Sequence, residues 1–406
     1  MGERAWFAAL ACAALSVAAS CGLELTGSGS DASTPDDATA RDATVDSPDD
    51  VFVEDGPPRA DSAADAGPLD GGCDANVATS AKHCGQCGHD CLGGACVDGV
   101  CAPVVLAGEL NGPAYVAVEG DYVYATLDGA QTPDAGLLVR VPTAGLPNGS
   151  APDAFVDRLT NPARIVVSGG YAYYVTRVSD GARGDVQKCS INTQPCTSAE
   201  ILKSGLNRPH GVTVSGNDLF FTTYSAELFR CPTAGCAPDA GALHSNSGEH
   251  FYGVATEGTG VFFAENEFGK VLRCSKDSCD AGPATLASNE PGADAVFAYG
   301  GTVYWANTDG DGAIHSCAAT ATNCTPTNIA LDQHGPRDLV VDDSGVYWTS
   351  YGDGQVRTCP LAGCSAPIVL ATNQTGPWGI AVDANSVYWA NHDGPGQIVK
   401  VRKRLK

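Results

Sequence analysis

Basic residues are scarce in this chain: 23 Lys and Arg stand against 47 Asp and Glu, for a formal net charge of −24 over 406 residues. That imbalance excludes nucleic acid as a partner, because phosphate recognition needs a cationic face. The basic end, KVRKRLK, is too short to reverse the conclusion. Enzyme signatures are missing as well. There is no GxSxG elbow, no HExxH pair, no Walker loop and no GxGxxG opening a helix. The markedly apolar stretch at the start, residues 1–20, is too short to span a bilayer.

What is abundant points to a secreted, turn-rich protein: 49 Gly, 24 Pro and 18 Cys. Residues 1–20, MGERAWFAALACAALSVAAS, combine an Ala-rich apolar core with small residues at its end, the pattern of a signal peptide. Cys21 follows directly. The run AASC resembles the lipobox of bacterial lipoproteins, and the resemblance implies a lipidated Cys21. Gly22 in place of Asp then implies export to the outer membrane or cell surface, held there by a lipid anchor. Residues 21–72 are Asp, Ala, Pro and Ser with few large apolar side chains, so they are expected to form a disordered, charge-extended acidic linker.

The cysteines fall into two systems. Cys73, Cys84, Cys87, Cys91, Cys96 and Cys101 crowd residues 73–101, a stretch with almost no apolar core. So small a module needs covalent staples, and three disulfides are expected, although six cysteines permit fifteen pairings. His83 and His89 offer zinc as the alternative, which an oxidising compartment disfavours. The run CGQCGHDCLGGACVDGVC also resembles Cys-rich modules of surface lipoproteins in large-genome Gram-negative bacteria. The other ten cysteines form five local pairs: Cys189 with Cys196, Cys231 with Cys236, Cys274 with Cys279, Cys317 with Cys324, and Cys359 with Cys364. Each brackets a short loop such as CPTAGC, which predicts a disulfide across facing positions of a hairpin.

From residue 102 onward one motif recurs seven times, as in AYVAVEGDYVYAT, RDLVVDDSGVYWTS and WGIAVDANSVYWAN. An apolar run, a Gly-bearing turn and an aromatic run make a hairpin, and the period of about forty to fifty residues is that of a four-stranded propeller blade. No helical periodicity interrupts it. The region opens on APVVLAGE, a fourth strand lacking its first three, and ends on WGIAV, VYWAN and QIVKVRK, three strands lacking a fourth. Residues 102–406 are therefore expected to form an all-β, seven-bladed β-propeller closed by pairing the first strand with the last three.

VYWTSYGDGQVRTCPLAG resembles the YWTD repeat of receptor propellers, and GPWGIAVD resembles the NHL repeat. Both likenesses imply the fold and leave function open. The aromatic pairs such as Tyr347 and Trp348 recur in almost every blade, which marks them as packing residues rather than as one carbohydrate platform.

Positions that differ between blades carry the functional information. Just before the first strand the seven copies read Ala114, Ala163, His210, Tyr252, Asp294, Arg337 and Trp378, with Tyr115, Arg164 and Asp338 one step on. In propellers this connection lies at the channel mouth, so His210, Tyr252, Asp294, Arg337 and Trp378 form a candidate ligand site. The loops between second and third strands, such as NTDGDG with Asp309 and Asp311, belong on the same face; their Asp-Gly turns give weak support to calcium, and no cofactor is otherwise expected. Function is expected to be that of a monomeric binding or scaffold module for an envelope protein or glycan. The alternative is a channel-mouth lyase or hydrolase acting on a small molecule or glycan, with or without a metal's assistance, a chemistry that some seven-bladed propellers perform with a metal at the channel mouth, and with His210 paired to Asp294 or Asp338.

Overall fold

Every blade is built outward from its second strand. Segments such as GVFFAE, GVYWTS and SVYWAN are buried along their whole length, because neighbouring blades cover both of their faces. In the computed structural model, which describes residues 76–404 except 133, 148–149, 178–182, 194 and 197–198, these segments pair on either side into seven antiparallel four-stranded sheets. Cys21, the signal segment, the acidic linker and Cys73 lie outside the described residues.

The inner strands are Pro113–Glu119, Pro162–Ser168, Pro209–Ser215, Phe251–Glu257, Ala293–Tyr299, Pro336–Asp342 and Pro377–Val382, taken as blades one to seven. They pack side by side around a central channel with a volume of about 390 Å³. The ring closes as the two incomplete ends require. Val104–Leu110 pairs antiparallel with Gly396–Arg402, with Val105 opposite Val399 and Ala107 opposite Ile398, and completes the seventh blade. Helix is confined, among the described residues, to one turn at Gly129–Gln131.

The repeated aromatics are core. Trp305, Trp348 and Trp389 are fully buried, and each indole needs an acceptor there. A residue fifteen positions upstream supplies it: Glu290 Oε2 at 2.8 Å, Gln333 Oε1 at 3.1 Å and Gln374 Oε1 at 3.0 Å. Glu290 and Gln374 also accept from Asn307 Nδ2 and Asn391 Nδ2, at 2.7 and 2.9 Å, and Glu290 differs from both glutamines in facing His315 Nδ1 at 2.7 Å.

All five local cysteine pairs are disulfides. Their placement differs from facing positions of a hairpin. The first cysteine of each pair lies in the third strand, whereas the second lies in the connection that follows it. There the backbone N–H of Cys196, Cys236, Cys324 and Cys364 donates to Phe155, Leu202, Leu286 and Ile329, each in the outer strand of the preceding blade. The staple thus shapes a loop that ties one blade to the next.

In the small module, Cys84 bonds Cys96, Cys91 bonds Cys101, and Cys87 is also disulfide-bonded. Cys84, Cys91 and Cys101 are the one group of three potential metal ligands within reach of a common point among the described residues, and their sulfurs are committed to disulfides. The histidines are occupied structurally too. His83 Nδ1 accepts from the Gly88 N–H at 3.0 Å, while buried His89 places Nδ1 2.6 Å from the Cys84 carbonyl and Nε2 3.1 Å from the Lys403 carbonyl. His89 therefore fastens the module to the end of the closing blade. This density of disulfides suits an extracytoplasmic protein.

Candidate functional site

The residues expected just before the inner strands lie inside them, as the second residue of each. Proline opens the inner strand in five of the seven blades, where its fixed φ and missing N–H suit a strand start. Immediately afterwards every inner strand carries an irregularity in register. In blade three, for example, Pro209 pairs with Thr223 and Val212 with Phe221, so the inner strand holds one residue more than its partner. The same shift occurs after Pro113, Pro162, Phe251, Ala293, Pro336 and Pro377. A bulge turns side chains out of the regular alternation. Here it presents the second and third residues of each strand at one end of the channel.

The bulge frees backbone groups that must be satisfied. Thr126, Thr222 and Thr349, one strand away, accept from the N–H of Tyr115, Gly211 and Asp338 at 3.2, 3.0 and 3.3 Å. Thr222 and Thr349 also donate to the carbonyls of Tyr252 and Trp378 in the following blade. The third position is glycine where that neighbour comes closest: a Cβ on Gly211 would stand 2.5 Å from the Tyr252 carbonyl oxygen.

Tyr115, Arg164 and Asp338 occupy the same third position and line the channel. Arg164 Nη1 donates to Asp338 Oδ1 at 2.9 Å from blade two to blade six, and Asp338 Oδ2 accepts from the Ile380 N–H at 3.3 Å. Arg164 also lies over the Tyr115 ring, 4.8 Å from its centre. Among the second-position residues, contacts run between neighbours around the ring. Arg337 Nη1 is 3.6 Å from Asp294 Oδ2, and its guanidinium covers the Trp378 ring at 4.1 Å. His210 and Tyr252 place their rings 4.4 Å apart. Ala114 and Ala163 are buried and contribute no polar group.

A second column of residues joins this face: those directly after the second strand. Asp128, Arg177, Tyr224, Asn266, Thr308, Tyr351 and His392 each donate a backbone N–H to the residue that precedes the inner strand. Their side chains vary from blade to blade as the mouth residues do. His392 Nε2 sits 3.0 Å from Asp128 Oδ2 and Nδ1 2.9 Å from Asp393 Oδ1, with its ring 4.5 Å from Trp378. Tyr351 packs edge-on to Trp378 and donates to Asp393 Oδ2 at 2.8 Å. Arg208, over the Tyr224 ring at 4.5 Å, holds φ at +47°; Gly112, Asn161, Gly292, Gly335 and Gly376 also have positive φ at the same place before their inner strands, so this turn belongs to the repeat.

Burial governs protonation at the mouth. It pushes the His210 imidazole well below its ordinary range, and the field of Arg177, Arg164, Arg337 and Arg208 adds to the effect, so the ring is neutral at pH 7. Burial raises Asp294, with Arg337 and Arg164 opposing. It lowers Arg177, which has no carboxylate partner among the described residues. For Arg164 burial works against the charge, but Asp338, Tyr115 and Asp294 more than offset it and hold the guanidinium above its usual range. The acid–base pair of His210 with Asp294 or Asp338 does not form: His210 Nδ1 and Asp294 Oδ1 are both buried without a hydrogen-bond partner. Asp309 and Asp311 serve the loop after the second strand of blade five, where the Asp311 carbonyl accepts from the His334 N–H at 2.8 Å.

No protein-family model matches the sequence, and no curated protein matches it either. Solved structures do share the fold. The virginiamycin B lyase of Staphylococcus aureus superposes with a TM-score of 0.56 at 15% identity, over 75% of this chain and 99% of that one. A streptogramin B lyase gives 0.54 at 17% identity, over 74% and 97%. U3-55K gives 0.55 at 10% identity, over 74% and 98%. At these identities the likeness establishes the propeller and nothing about the chemistry.

Proposed function

We propose that this protein is a cell-envelope lipoprotein whose propeller is a binding module, with a ligand seated at the channel mouth among His210, Tyr252, Asp294, Arg337 and Trp378. One observation carries the reading. Seven side-chain atoms at this mouth are buried without a hydrogen-bond partner: Arg164 Nε and Nη2, Arg177 Nε, His210 Nδ1, Asp294 Oδ1, Arg337 Nε and Trp378 Nε1. Native proteins leave few such atoms unpaired, because each costs about 1–3 kcal/mol, so their concentration at one opening supports a surface prepared for a polar guest. For the alternative, a lyase or hydrolase working through His210 with Asp294 or Asp338, the unpartnered His210 Nδ1 and Asp294 Oδ1 give no support.

The test is a thermal-shift screen of the full-length protein against sugars, peptidoglycan fragments, small peptides and divalent metals. A compound that stabilises the parent and loses its effect in Trp378→Ala and Arg337→Ala locates the site at the mouth. Equal shifts in parent and variants place binding elsewhere and defeat the reading. The anchor is tested separately: Cys21→Ala should release the protein from membranes, and unchanged membrane association removes the lipoprotein assignment.

A further inference from the structure

The charges at the mouth do not balance. Arg164, Arg177 and Arg337 face it, while Asp294 and Asp338 supply two carboxylates, each already engaged by one of these arginines. His210 is neutral and adds nothing. His392 belongs to a separate rim cluster with Asp128 and Asp393, and His250 lies against Glu267 at 3.5 Å. Arg208, over the Tyr224 ring, is exposed at the rim, so among the buried charges one cation, Arg177, is left over.

The unpaired atoms are complementary in kind. Arg164 spends Nη1 end-on on Asp338, which leaves its Nε and Nη2 buried without partners. Those two N–H groups form the side edge of the guanidinium, the fork that grips a carboxylate through two parallel hydrogen bonds. Arg177 Nε is a third buried donor without an acceptor. Asp294 Oδ1 is the opposite case, a buried acceptor without a donor. Around them Tyr115, Tyr252 and Trp378 provide aromatic faces.

Resting on the binding reading above, we infer that the ligand is a small monocarboxylate bearing a hydrogen-bond donor: its carboxylate takes the Arg164 side edge and Arg177, and its donor faces Asp294 Oδ1. A single negative charge matches the single surplus cation among the buried groups. A phosphate dianion would overshoot it and meet Asp338 and Asp294 at close range, and a neutral ligand would leave Arg177 uncompensated.

The experiment compares matched probes on the full-length protein by calorimetric titration and thermal shift at constant ionic strength. The probes are acetate against acetamide and inorganic phosphate, and D-glucuronate against D-glucuronamide and glucose 6-phosphate. We expect each carboxylate to bind at least tenfold tighter than its amide and its phosphate counterpart. In Arg177→Gln and Arg164→Lys that preference should fall to within about twofold, in line with the loss of one charge-assisted bidentate contact. Arg177→Gln removes an uncompensated cation and is expected to fold as well as the parent; Arg164→Lys keeps the charge opposite Asp338 while deleting the fork. If amide and acid bind alike at a site sensitive to Trp378→Ala, the mouth is a binding site but the carboxylate inference is wrong. If neither carboxylate binds while another compound from the screen does, the inference is equally wrong. Binding of nothing at the mouth overturns both.

Discussion

Arg164 of the second blade and Asp338 of the sixth meet across the channel mouth at 2.9 Å, bridging blades that lie on nearly opposite sides of the ring. Both side chains are mostly buried, so removing either leaves the other a buried ion without its partner. Asp338→Ala should destabilise the protein by about 3–5 kcal/mol, because it strands a second cation beside Arg177. The double variant Arg164→Leu/Asp338→Leu should recover most of that loss in chemical denaturation. A double variant no better than Asp338→Ala would mean that the pair matters for shape and not for charge compensation.

Glu290 gives a pH dependence of known sign. Burial works against its charge, but His315, Asn307 and Trp305 outweigh burial and hold the carboxyl below its ordinary value of 4.5. A depressed folded pKa contributes stability that is present above about pH 4.5 and lost as pH falls through the lowered folded value. Glu290→Gln, which copies Gln333 and Gln374 of the next two blades, should cost about 1 kcal/mol at pH 7. Thermal unfolding from pH 7 to 3 should show the two curves converging at the acid end. Parallel curves would remove Glu290 from the acid limb.

The five local disulfides should each be worth little alone. Cys359→Ser/Cys364→Ser opens a loop of five residues' separation, which the chain-entropy account values at about 2 kcal/mol at most. The Cys364 N–H to Ile329 contact ties blade six to blade five, so the loss should appear as faster hydrogen exchange at that amide. Exchange unchanged there, with stability also unchanged, would show the loop to be held by its backbone alone.

His89 is the fastening of the Cys-rich module. Its two ring nitrogens both face carbonyl oxygens, that of Cys84 within the module and that of Lys403 at the end of the closing blade. His89→Ala should leave the disulfides intact but expose the 84–101 segment. Limited proteolysis and amide exchange between residues 84 and 101 are the readouts, and protection equal to the parent's would place the docking energy elsewhere, in the contacts around Leu370, Val401 and Arg404.

Much of this molecule could be read along the chain because its information is local and repeated. Seven hairpins with a Gly-bearing turn, each too apolar to stand alone, admit a closed ring, and an orphan strand at one end with three at the other says how it closes. The pairing of nearby cysteines follows from their spacing. What stayed hidden was direction. The bulge that draws His210, Asp294 and Arg337 inside the strand depends on how the partner strand registers, and that register is set by packing between blades. Arg177, His392 and Tyr351 looked like residues of ordinary turns; their signal was a column just after the second strand that varies where the strand itself does not.

Sequence alone thus determined the fold, the closure and which positions differ between blades, since periodicity and turn chemistry act over a few residues. Tertiary structure decided which of those varied side chains meet. Arg164 and Asp338 are 174 residues apart, and His392 and Asp128 are 264 apart. Only closing the ring brings such pairs within hydrogen-bond reach, and only burial at the mouth leaves donors of Arg164, Arg177 and Arg337 without partners there.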